Sequence, residues 1–87
     1  MTFAKDPNAV LDYTIDWTRW LASDQIATSE WLVPVGLTKM ADSKTASSAT
    51  VWLSGGAAGQ SYTVTNRITT SAGRTEDRSF IAKVEER

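Results

Sequence analysis

The 87-residue sequence predicts an all-β fold, an antiparallel sandwich of two sheets, from three observations. Apolar and polar residues alternate with a period of two in several short runs, the spacing that turns one side of a strand to a core and the other to water. Those runs are rich in Thr, Val, Ile, Trp and Tyr, side chains that fit a pleated, half-buried surface. Turn-forming clusters punctuate the chain at intervals of roughly 8–12 residues, and no window holds a sustained helical stripe. Six to seven short strands joined this way form facing antiparallel sheets, not βαβ units.

The first run is VLDYTIDW, Val10 to Trp17. Leu11, Tyr13, Ile15 and Trp17 fall on one face, with Asp12, Thr14 and Asp16 on the other. Thr18 to Asp24 breaks the alternation and reads as a turn or one short helical turn carrying Trp20 and Leu21. Ile26 to Val33 resumes as a strand, with Ala27, Ser29, Trp31 and Val33 predicted to share a face. Pro34 has no amide proton and marks the strand end or an edge, and Gly36 supplies a turn. Leu37 to Met40 reads as a short strand. The small, polar stretch Ala41 to Ala49 fits either a mobile loop or a weak edge strand.

Thr50 to Ser54 is a strand whose Val51 and Leu53 face away from Trp52. Gly55 to Gly59, GGAAG, is a turn whose glycines permit positive φ. Ser61 to Thr70 is the clearest strand, with Tyr62, Val64, Asn66 and Ile68 on one side. Ser71 to Thr75 is a hairpin connection with Gly73 at its left-handed position. Glu76 to Glu85 returns with Phe80, Ala82 and Val84 facing in. Tyr62 follows a glycine turn, opens the best strand and precedes the final hairpin. A Tyr near that position pins a corner of immunoglobulin-like sandwiches through its hydroxyl; as an ordinary core aromatic it fits the sandwich equally. The expected architecture is therefore one immunoglobulin-like domain over residues 1–87. The ends, Thr2 to Pro7 and Glu85-Glu86-Arg87, are polar and are expected to order only on assembly.

Composition removes most chemistry from consideration. The chain has no Cys and no His, so thiol catalysis, a nucleophilic triad of the usual kind and the commonest zinc ligands are all missing. Asp12 and Asp16 share a strand face, which a solvated face alone explains. Asp42, or Glu76 with Asp77, sits in no ligand series resembling a calcium loop. GGAAG lacks the Lys-Ser/Thr of a phosphate loop. No catalytic residue, cofactor site or metal site is expected. Nine Lys and Arg against ten Asp and Glu, in no like-charged block, give no stripe for nucleic acid or anionic lipid. No segment reaches the roughly 20 apolar residues of a membrane span, and the N-terminus has no secretory pattern. A soluble protein made in the cytosol is expected.

Four tryptophans are many for a chain this short. Trp17 and Trp31 lie on apolar faces and are predicted core residues, each indole N–H reaching a backbone carbonyl or water. Trp20 either plugs the end of the sandwich or stands exposed. If Val51 and Leu53 are core, Trp52 lies outside; if Trp52 is core, two aliphatics are exposed. Both arrangements leave an apolar patch, the usual mark of a partner surface. Trp20 and Trp52, with Arg67 and Arg74 near the last hairpin, are the candidate partner contacts, although arginines so placed are often merely solvated.

Taken together, FAKDPNAVLDYTIDWTRWLASDQIATSEW and ATVWLSGGAAGQSYTVTNRITTSAGRTEDRSF resemble the fiber-tail adaptor family of small virion proteins from tailed bacteriophages. The specific elements are KDPNAVLDY, the W-x-x-W-L turn, and VWLSGG followed by YTVTNRITTSAGRT. The low-complexity stretch Thr38 to Ser48 falls outside the resemblance. It implies a non-enzymatic, immunoglobulin-like structural adaptor in the virion, made in the host cytoplasm and present in multiple copies. The implied partners are tail, neck or fibre proteins, with no nucleic acid and no membrane. The alternatives are a carbohydrate-binding module stacking sugars on Trp20 and Trp52, and a capsid decoration protein. Without histidine, side-chain charge changes little between roughly pH 6 and 8, so light scattering across that window should find association nearly constant.

Overall fold

The computed structural model describes residues 1–86; Arg87, the last residue of the C-terminal tail, lies outside them. Among the described residues there are seven strands: β1 (Thr2–Lys5), β2 (Leu11–Asp16), β3 (Ile26–Leu32), β4 (Leu37–Lys44), β5 (Ser48–Gly55), β6 (Ser61–Thr70) and β7 (Thr75–Val84). A single four-residue helical turn, α1 (Thr18–Leu21), joins β2 to β3. No helix among the described residues is long and apolar enough to cross a membrane. One sheet has the order β1-β7-β6-β3 and the other β2-β5-β4. All pairs are antiparallel except β1 with β7.

The core lies between the sheets and is built by the predicted alternation. Tyr13 and Ile15 of β2, Val51 and Leu53 of β5, Val64 and Ile68 of β6, and Phe80, Ala82 and Val84 of β7 are all buried. Burying such side chains contributes about 1.5–3 kcal/mol each, the main force available to a small domain without disulfides. Trp17 has no exposed surface, and Trp31 is buried on β3. The Trp17 Nε1–H donates to Asn66 Oδ1 at 2.9 Å, a side-chain acceptor where a backbone carbonyl or water was expected. Asn66 Nδ2 in turn donates to Ser29 Oγ at 2.9 Å and to the Glu30 carbonyl at 3.1 Å. Asn66 therefore ties the end of β2 to β6 and β3 through the middle of the fold. Trp31 Nε1 and Tyr13 Oη are buried and have no hydrogen-bond partner among the described residues.

Two bulges depart from the predicted alternation. The β3–β6 register shifts between Ile26 and Thr28, so Ile26 and Trp31 both point inward while Ala27, expected on the inner face, is exposed. One inserted residue resets the period of two. The β4–β5 register shifts between Lys39 and Ala41, leaving Met40 exposed in the irregularity. The stretch that read as loop or edge strand, Ala41 to Ala49, is divided: its first four residues continue the edge strand β4 to Lys44, residues 45–47 form a turn, and β5 starts at Ser48. The turn between them is tied by Thr45 Oγ1, which accepts from the Ser47 and Ser48 amides.

The N-terminus is corrected more strongly. Thr2–Lys5 needs no assembly to order: it forms β1, parallel to β7, with Thr2 opposite Ile81 and Lys5 opposite Val84. The Ile81 amide donates to the Met1 carbonyl and the Glu85 amide to the Lys5 carbonyl, both at 2.9 Å. Phe3 packs on Tyr13 and Phe80, with ring centroids 5.1 and 5.3 Å away. Lys5 is fully enclosed, its Nζ donating to the Gly55 carbonyl at 2.7 Å and the Asp6 carbonyl at 3.0 Å. Burial lowers its pKa below the ordinary lysine value, opposed by the Asp6 charge.

At the same end of the sandwich, Tyr62 Oη accepts the Ala57 amide at 3.0 Å, the upstream backbone bond expected of a corner tyrosine. Gly36 and Gly56 have positive φ (108° and 97°) and lie against this corner. A Cβ on Gly36 would sit 2.7 Å from the Tyr62 ring, and one on Gly56 would sit 2.6 Å from a Val84 methyl. Urea unfolding should rank the polar anchors. Asn66→Ala, which orphans a buried indole N–H and opens a cavity, is expected to cost about 2–4 kcal/mol. Tyr62→Phe should cost about 1 kcal/mol, and Thr63→Ala on the solvent face no more than about 0.5 kcal/mol.

Candidate functional site

The four candidate contact residues separate into three locations. Trp20 and Arg74 come together at the end of the sandwich built by α1, the β4–β5 turn and the β6–β7 hairpin. The Asp16 carboxylate accepts both the amide and the hydroxyl of Thr18, turning the chain out of β2 into α1. That places Trp20 against Trp17, with centroids 5.4 Å apart and planes at 71°. The Arg74 guanidinium lies 4.3 Å over the Trp20 ring and donates to Asp24 Oδ2 at 3.2 Å and the Leu21 carbonyl at 3.1 Å. Of the two sequence alternatives, Trp20 is the half-buried plug. One ring face carries an arginine, so Trp20 offers poor ground for sugar stacking.

Arg67 stands elsewhere, on the outer face of the β1-β7-β6-β3 sheet. It pairs bidentately with Asp77 directly across on β7, at 2.8 and 3.0 Å, and faces Glu30 on β3 in register. The neighbouring rows of this face carry hydroxyls: Thr65 and Ser79 are hydrogen-bonded at 2.7 Å, and Thr69 and Thr75 at 3.2 Å. Leu32 and Ile81 are its exposed aliphatics.

Trp52 is on the opposite outer face, that of β2-β5-β4. Val51 and Leu53 are fully buried, and Trp52 is 42% exposed, which decides the open question of that strand. Its cross-strand neighbours are Asp12 on β2 and Ala41 on β4. The next row holds Thr14 and Thr50, whose hydroxyls share a hydrogen bond at 2.8 Å. Met40, 59% exposed, lies one residue before Ala41 in the β4 bulge. The result is a large aromatic ring on a sheet face otherwise made of small polar side chains and one unscreened carboxylate.

Sequence reading missed two participants. Arg78 shares the inward parity of Phe80 and Ala82 on β7, a signal visible in the alternation. Its guanidinium lies 4.3 Å over the Trp17 ring and donates to the Asp16 carbonyl at 3.1 Å, closing the sandwich where β1 no longer covers β7. Asp12 was read only as part of a solvated face, because which residue of β5 it opposes depends on register. Among the described residues no group of three or more acidic side chains could hold a metal ion, and no ligand-sized cavity is present.

Against models of known protein families, residues 5–83 match the one described as podophage GP4 fiber-tail adaptor protein gp77. A search of curated proteins found no match.

Three carboxylates are held below the ordinary range by their partners. The Thr18 hydroxyl and amide act on Asp16. The Thr70 hydroxyl, the Gln25 amide and then Arg74 act on Asp24, and the Arg67 guanidinium acts on Asp77. Because each pKa is depressed in the folded state, the associated stability is complete above the unfolded value of about 3.9 and is lost as pH falls below it. Thermal melts followed by tryptophan fluorescence should therefore be flat from about pH 5 to 8 and drop below about pH 4. Asp24→Asn should lower the plateau and shrink the acid-dependent drop.

Proposed function

This chain belongs to the podophage GP4 fiber-tail adaptor family, and we propose that it works as a non-enzymatic connector that docks onto tail, neck or fibre proteins of the phage particle. The observation that carries this reading is the extent of the match: it begins at Lys5 in β1 and ends at Lys83 in β7. The match thus spans β2 to β6 whole and nearly all of β7, so the likeness extends along almost the entire sandwich. A body of 42 × 21 × 17 Å with polar outer faces suits a spacer that holds two neighbours at fixed separation. Rigidity matters for such a part, because an interface that needs no ordering on binding loses less affinity to conformational entropy.

The immunoglobulin-like reading of the single domain has its own support. Strands β2, β5 and β4 form one sheet and β3, β6 and β7 the other, the partition of the constant-type immunoglobulin fold, with the first strand moved to the edge of β7. The Tyr62–Ala57 bond at the turn before β6 is a second support. Synthesis in the host cytoplasm and incorporation in several copies follow from the same reading, since virion connectors sit at symmetric positions and repeat with their neighbours.

Co-expression of the chain with the tail, neck and fibre proteins of its phage, followed by size-exclusion chromatography and cross-linking, tests the proposal. Co-elution with at least one of them is expected. A stable monomer that binds none of them would sink it.

A further inference from the structure

The chain uses its tryptophans and arginines in a repeated way. Arg74 lies over Trp20 and pairs with Asp24; Arg78 lies over Trp17 and takes the Asp16 carbonyl. In both, a guanidinium is held between an indole face and an oxygen acceptor beside it, combining cation–π attraction with a directed hydrogen bond. Trp52 and Asp12 reproduce the receiving half of that arrangement on the outer face of β2-β5-β4. They are directly opposite in the β2–β5 register, which sets their Cβ atoms about 4.5–5.5 Å apart. The Asp12 carboxylate makes no ion pair or hydrogen bond with the described residues, and no described cation lies over Trp52. Ala41 on the other flank of Trp52 is small and leaves the indole accessible.

We propose that Trp52 and Asp12 form a receiving site for an arginine side chain presented by a neighbouring virion protein. This rests on the connector reading and names the chemistry of one of its contacts. Charge complementarity selects the occupant. The site offers one unpaired carboxylate beside a π face, and arginine satisfies both at once, whereas lysine, a compact hydrated point charge, stacks less well. An exposed tryptophan with an adjacent acid also fits the composition of interface hot spots, where Trp and Arg are enriched.

The test uses the full ¹⁵N-labelled chain and its indole N–H resonances, with Trp52 assigned by Trp52→Phe. The probes are the capped peptide Gly-Arg-Gly-Arg-Gly and its lysine counterpart. The arginine peptide should move the Trp52 resonance saturably and leave Trp17 and Trp20 in place. It should bind about threefold or more tightly than the lysine peptide, and Asp12→Asn should weaken it by a similar factor. Both side chains are exposed, and the dispersion of the same spectra shows that the variants are folded. An unmoved Trp52 resonance, equal response to both peptides, or indifference to Asp12→Asn overturns the proposal. A Trp52 shift that grows with protein concentration alone and disappears in Arg19→Ala, which removes the exposed arginine of α1, also overturns it, by assigning the site to a second copy of this chain. In parallel, Asp12→Arg should dock onto the virion partner about tenfold or more weakly than the parent chain. Undiminished docking of that variant overturns the arginine site and leaves the connector reading standing. Failure of the parent chain to dock at all, with the peptide result intact, sinks the connector reading instead.

Discussion

The hydrogen bond between Trp17 and Asn66 is the constraint on which the fold turns. No cysteine is available to bridge the sheets, so a buried polar contact links them. Its geometry is demanding because a buried amide left half-paired costs the full desolvation of each unmet group. Asn66 meets the demand by accepting from the indole and donating to two acceptors on β3. The indole must therefore enter at one depth and in one orientation. That fixes where β2 ends, where α1 begins, and how Trp20 stands against Trp17 at the end of the sandwich.

From that anchor the end of the molecule is assembled by arginines. Arg78 reaches from β7 to the β2 carbonyl of Asp16, and Arg74 reaches from the last hairpin to Asp24 and Leu21. The backbone does the same in parallel: Ile26 N to Ala46 O, Trp17 N to Ser47 O and Ser71 N to Gln25 O join the connecting segments to one another. Most of the individual ion pairs are exposed and worth little alone. As a set around two indoles packed edge to face they hold the loops to the sheets. The opposite end depends on Lys5, Tyr62 and two positive-φ glycines, where backbone carbonyls and amides are again the partners.

The two outer faces differ in kind. The β1-β7-β6-β3 face is a ladder of hydroxyl pairs with the Arg67–Asp77 bridge in its middle, so its polar groups largely satisfy one another. The β2-β5-β4 face presents Trp52 beside an unpaired acid, with Met40 exposed in the β4 bulge. Interfaces draw their energy from large aromatic groups that can be desolvated, not from satisfied polar pairs. On the connector reading proposed above, the second face is the one suited to contact. On the β4 edge, the bulge and the Lys39–Asp42 pair interrupt what would otherwise be a long flat strand open to indiscriminate pairing.

Much of this was legible in the chain itself. Alternation is a local property of extended backbone, so the inward residues of β2, β6 and β7, Asn66 included, could be read directly, whereas β5 and the role of Tyr62 each stayed open between two readings. The absence of Cys and His likewise excluded familiar chemistries at once. What local pattern could not carry was anything that depends on one strand finding another. The bulges in β3 and β4, β1 lying parallel on β7, Lys5 enclosed at a carbonyl pair, Arg78 over Trp17 and Asp12 opposite Trp52 all follow from register. Register is chosen by the packing of the whole core, because a slip of one residue would turn every buried side chain outward. The sequence alone determined which side chains are buried on the regular strands β2, β6 and β7; the tertiary structure decided the rest, and which of the exposed ones meet.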